Sequence, residues 1–183
     1  FGTEGQAPKD GVIDVDPGRL NLDVTDFVPL SQIRAWDSGR IAGPKGSNLG
    51  ELKFAFGDVV PDGFVIPFGA FRRLLDQPIE PGGPSAWDWM KSQYAEIERA
   101  SGDARKRRVA AFLERLRHWV YQVEPGPEFE AQLRSNLATH FGNDPNYGVF
   151  VRSDTNVEDL PGFTGAGLNQ TIPNVVGGYD NVL

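Results

Sequence analysis

Two short stretches of this chain carry residue types and spacings that could do chemistry. The first is Gly43-Pro44-Lys45-Gly46-Ser47-Asn48. A lysine in a glycine-rich loop that leads into a helix suits a phosphate: the loop presents backbone amides, the helix end is electropositive, and the ammonium is a mobile point charge. It is not a Walker A loop, because the lysine precedes the Gly-Ser pair and the long glycine spacing is missing. A plain Gly/Pro turn with a solvated lysine is the commoner origin of such a stretch. The second is VFVRSDTNVEDLPGFTGAG, residues 149–167. Its apolar start reads as a strand that delivers Arg152 to a sheet edge, where open α/β sheets bind ligands and a guanidinium can fork onto phosphate oxygens. The same arginine could instead pair with Glu158 or Asp159 and staple the loop. Gly165 and Gly167 flank Ala166, which lets backbone there approach another molecule closely. In a regular strand Thr171 shares a face with Gly167.

The elements that must position these residues follow from pattern. Ser47 or Asn48 can cap a helix beginning near Leu49, with Glu51 favourable in its first turn and Gly57 at its end. VVPDGFVIP gives a Pro-Asp-Gly turn and a short strand, Phe64–Ile66, and FGAFRRLLD returns to helix. The middle of the chain, residues 84–142, is helical. Ser85 can cap one helix there. Val109, Phe112, Leu113, Leu116 and Val120 form an apolar stripe on the next. Pro127 opens a third, which runs to about Phe141 before Gly142. A strand over Val149–Arg152, a loop and a second strand near Leu168–Ile172 complete the pattern, and GGYDNVL reads as the start of another helix. Residues 1–40 read as an arm or linker, with DFVPLSQI a short apolar piece of undetermined type.

Composition sets limits. The 183 residues include twelve Phe and four Trp, enough for a real core. The 22 Gly and 14 Pro predict many turns. A net charge of −7 argues against nucleic acid or an anionic membrane as partner, since both need basic surface. The run RKRR at 105–108 is accordingly expected to be a solvated helix face. There is no cysteine, which removes disulfides and thiolate metal sites. No apolar stretch is long enough for a membrane span and no signal peptide is visible, so a cytoplasmic protein is expected. His118 and His140 lack metal-ligand spacing and read as structural. Trp87, Trp89 and Trp119 read as core.

Taken together, GPKGSNLGEL, VPDGFVIPFGAFRRLL and VFVRSDTNVEDLPGFTGAGLNQTIPNV resemble the ATP-binding domain of the phosphoenolpyruvate synthase and pyruvate phosphate dikinase family. The resemblance covers about residues 41–75 and 149–183. It implies an α/β (α+β) fold: the first lobe of an ATP-grasp domain, a small mixed sheet with a helical insertion, spanning residues 41–183 and truncated at its C-terminus. By position, Lys45 and Arg152 correspond to the family's two cationic ligands of the ATP phosphates, and Gly167 and Thr171 to nucleotide contacts on the covering strand pair. Glu158 and Asp159 then order the loop. Pro44 departs from the family pattern, where a glycine stands, and should stiffen the loop. Asp154 replaces a small polar residue, and its charge could compete with phosphate for Arg152.

The resemblance also implies what is missing. The family reaction passes phosphate from ATP to a histidine on a swivelling domain and then, in a separate barrel, to pyruvate. Neither part is visible here, so no catalytic residue is assigned, and the ligands of the accompanying Mg2+ are expected outside this chain. The parent protein is expected to be an ATP-dependent dikinase and the isolated fragment inactive. The segment NVEDLPGFTGAGLNQTIPNV, residues 156–175, is similar as well to glucan water dikinases, which phosphorylate starch. An antibiotic phosphotransferase of the same design and a noncatalytic, degenerate nucleotide-binding module are the remaining alternatives.

Overall fold

A computed structural model describes residues 17–142, 144, 146–156, 159–160, 163–164, 171–176 and 182. The chain has the mixed α and β character expected. Five α-helices are described: α1 (Pro44–Phe56), α2 (Phe68–Leu74), α3 (Ala86–Glu98), α4 (Gly102–Gln122) and α5 (Pro127–Phe141). The described strands pair two by two, all antiparallel. They are β1 (Val28–Pro29) with β2 (Phe64–Val65), β3 (Gly148–Arg152) with β6 (Thr171–Val176), and β4 (Asp159–Leu160) with β5 (Phe163–Thr164). The described residues fall into two compact units, one of residues up to Ala70 together with those from Glu130 onward, the other Phe71–Phe129. None of the described helices is long and apolar enough to cross a membrane.

The first unit holds both stretches singled out above. Its core is Leu30, Ile33, Ile41, Ala42 and Val65, with Val24, Val28 and Leu49 packed against them. Part of the stretch read as an arm therefore enters the core, and the apolar piece DFVPLSQI supplies β1, the partner of β2. Helix α1 begins five residues before the expected Leu49. Pro44 stands at its first position, where a missing N–H costs nothing. Ser47 and Asn48 are thus not caps: Ser47 lies fully buried inside the helix and Asn48 is exposed. Glu51 instead accepts a hydrogen bond from the amide of Ala35 at 3.0 Å. Helix α5 buries Leu133 and Leu137, one turn apart, and Gln132 accepts a bond from the Phe27 amide at 3.0 Å.

The β3–β6 pair is the frame of the arginine. Val149 pairs with Val175, Val151 with Ile172 and Arg152 with Thr171. Between the first two pairs β6 carries one extra residue, a bulge at which Asn174 adopts a left-handed φ of 52°. Strand β6 is described from Thr171, opposite Arg152, to Val176, opposite Gly148; residues 168–170 of the expected strand lie outside the described residues. The helix expected in GGYDNVL lies outside the described residues except at Val182.

In the second unit Ser85 caps α3, accepting from the Asp88 amide at 3.1 Å. Leu75, Ile79, Ala86 and Trp119 form its core, with Trp87, Trp89 and Leu116 against them. The apolar stripe of α4 divides: Phe112 is buried against Trp89 and Tyr94, whereas Leu113 and Val120 stay exposed. In the RKRR run, Lys106 pairs with Asp103 and Arg108 with Glu96.

Candidate functional site

The N-terminus of α1 ends in a cluster of amides with no partner inside the helix. Their partner comes from across the chain. Asp154, just beyond the end of β3, places Oδ2 2.9 Å from the Gly43 amide and 3.2 Å from that of Gly46. Its Oδ1 accepts from the Lys45 amide at 3.0 Å. Bonds of this charge-assisted kind contribute about 1.5–3 kcal/mol each, and a carboxylate at a helix N-terminus gains a further 0.3–1 kcal/mol or so from the dipole. The glycines are what admit it. A Cβ on Gly46 would lie 2.6 Å from Asp154 Oδ2 and 2.8 Å from Val65 Cγ2. The carboxylate of Asp154, whose charge could compete with phosphate for Arg152, is engaged by the amides at the start of α1.

The Lys45 ammonium donates to the backbone carbonyl of Ser153 at 3.0 Å, and the side chain is half-buried. Arg152 precedes that residue. It is exposed, and its guanidinium makes no ion pair with another described residue. Thr171 stands opposite it on β6, so both side chains leave the same face of the pair. Lys45, Arg152 and Thr171 line one cavity of about 790 Å3, within the roughly 300–1,000 Å3 usual for small-molecule sites. Its walls are largely apolar: Leu30, Leu49, Val65, Leu133, Leu137, Phe141, Val149 and Val151 contribute. Gly167, the fourth residue implied by the resemblance, lies outside the described residues, as does Glu158, one of the two alternative partners of Arg152; of the other, Asp159, the backbone alone is described.

Sequence reasoning missed Asp62, which also lines the cavity. Its Oδ2 lies 3.0 Å from His140 Nδ1, and the His140 ring packs against Phe64 and Phe141, with ring centres 5.7 and 6.4 Å away. Burial alone would push the Asp62 carboxyl up. The hydrogen bond with His140, the Gly63 amide and the charges of His140 and Lys53 outweigh it and hold the group below its ordinary value. No signal in the sequence joins residues 62 and 140. Among the described residues no cluster of three or more His, Asp or Glu side chains could hold a metal ion. The donor set among them thus gives no support for a magnesium site.

In the first unit a glycine-lysine helix start and a strand-end arginine thus line one cavity. The sequence profile described as pyruvate phosphate dikinase, AMP/ATP-binding domain, matches residues 39–183, and the chain belongs to that family. It is 32% identical over 162 residues to a rifampicin phosphotransferase of a Streptomyces species, 87% of this chain and 16% of that protein. It is 29% identical over 156 residues to the phosphoenolpyruvate synthase of Escherichia coli K12, 84% of this chain and 18% of that protein. A rifampicin phosphotransferase of Bacillus cereus is 29% identical over 160 residues, again 87% of this chain and 16% of the relative. The chain thus spans less than a fifth of the length of these relatives. No solved structure matches it.

Proposed function

We propose that this chain is the ATP-binding part of a phosphoenolpyruvate synthase or pyruvate phosphate dikinase-like phosphotransferase, and that Lys45 and Arg152 hold the phosphates of the nucleotide. The observation that carries this reading is that two cations more than a hundred residues apart line one cavity. Phosphoryl transfer asks the protein mainly for positioning and charge neutralisation. An ammonium and a guanidinium supply both, the second with a planar fork that fits phosphate oxygens. Thr171, opposite Arg152, offers a hydroxyl on the same face, and Gly167 belongs to the same assignment. The apolar walls suit the uncharged part of a nucleotide. Mg2+ enters with ATP, its ligands supplied from outside this chain.

In the parent protein phosphate would pass from ATP to a histidine on a separate domain and on to pyruvate. A second acceptor is favoured by the relatives themselves, since rifampicin phosphotransferases match at least as well as the phosphoenolpyruvate synthase. Assays of the full-length protein with pyruvate and with rifampicin separate the two. The binding assignment is tested by Arg152→Ala. It should weaken ATP binding by about 1.5–3 kcal/mol, the worth of lost charge-assisted hydrogen bonds. Unchanged affinity in a folded variant, measured by calorimetry, returns Arg152 to a structural role.

A further inference from the structure

We infer that Asp154 is the positioning residue of this site: it sets where Lys45 stands relative to Arg152. The inference rests on the reading of Lys45 and Arg152 as phosphate ligands. Lys45 is held at both ends by the dipeptide that directly follows Arg152. Its amide donates to Asp154 Oδ1 at 3.0 Å and its ammonium to the Ser153 carbonyl at 3.0 Å. Asp154 Oδ2 takes the flanking amides of Gly43 and Gly46 as well. The two cations therefore belong to one rigid linkage, strand end to helix start, although residues 45 and 152 are far apart in sequence.

The same bonds decide what the α1 N-terminus does. Its amides are engaged by a carboxylate of this chain, so the helix start serves as an anchor and the anion is left to the side-chain cations. The rival account has Asp154 as a stand-in that a phosphate must displace. The two differ in sign. A stand-in weakens ATP binding by its presence, whereas a positioning residue strengthens it.

The test is a double-mutant cycle in the full-length protein, with ATP affinity measured for wild type, Asp154→Ala, Lys45→Met and the double variant. Asp154→Ala should cost about tenfold in affinity when Lys45 is present and less than about twofold when it is methionine, since residues acting through one another are not additive. Equal losses in both backgrounds overturn the inference, and so does tighter binding by Asp154→Ala. Where Asp154→Ala does not fold, Asp154→Asn, which keeps the shape and one acceptor oxygen, carries the same cycle with a smaller loss. A second readout needs no nucleotide. Acylation of Lys45 in the ligand-free protein, followed by mass spectrometry, should speed up in the Asp154 variant, and an unchanged rate contradicts the inference. Arg152→Ala serves as the reference. If it leaves affinity intact, the phosphate reading fails, while the Lys45 acylation rate still judges Asp154.

Discussion

Gly46 has two neighbours that make a side chain costly there: the carboxylate of Asp154 and the methyls of Val65. Gly46→Ala should destabilise the fold by about 1–3 kcal/mol, the usual cost of overpacking, read as a lower midpoint in urea. A folded variant of wild-type stability would mean that Asp154 can retreat without loss. Asp62 offers a test by pH. Its carboxyl is held below its ordinary value in the fold, so the native state favours the ionised form. That contribution is fully present above the unfolded pKa of about 3.9 and is lost as pH falls through the depressed folded value. Asp62→Asn should therefore reduce stability near neutral pH and flatten the loss of stability below about pH 4. Denaturant titrations of both proteins across that range check it, and parallel curves would remove Asp62 from the acid limb.

At the scale of elements, legibility depended on where the partner groups lie. The cap of α3 is local, three residues from its amide, and Ser85 announced it. The cap of α1 is Asp154, which accepts from the Lys45 amide 109 residues away, so the local candidates Ser47 and Asn48 put the start too late. Helix α1 also hides its buried face, which is Ser47 and Gly50, while Phe54 and Phe56 stay exposed. An apolar period cannot report a face made of small residues. Strand β3 was legible from its apolar run. The run of β6 on to Val176 was not, since pairing with β3 across a bulge sets it. Lys45, Arg152 and Thr171 were found through the resemblance; their chemistry alone left a turn and an ion pair as open alternatives. Asp62 and His140 meet only in the fold. The local cap gives an element-scale prediction. Ser85→Ala should cost about 1 kcal/mol of stability, measured by denaturant unfolding, and leave ATP affinity unchanged. A shift in affinity would tie the second unit to the site.

At the scale of the whole molecule, the chain spans less than a fifth of the length of these relatives, and the proposed reading takes it as one of two lobes that close around the nucleotide. The 183 residues alone should bind Mg-ATP weakly and hydrolyse none. Tight binding, or turnover that survives purification controls, would mean that the first lobe holds a complete site. The central claim is that Lys45 lies against the nucleotide in the cavity it shares with Arg152, and lysine labelling in the full-length protein tests it most directly. An amine-reactive reagent is applied with and without saturating Mg-ATP, and modification is read at Lys45 and at the exposed Lys91 and Lys106. Bound ATP should suppress labelling at Lys45 and leave Lys91 and Lys106 as they were. Equal labelling of Lys45 in the presence of bound ATP would contradict the account.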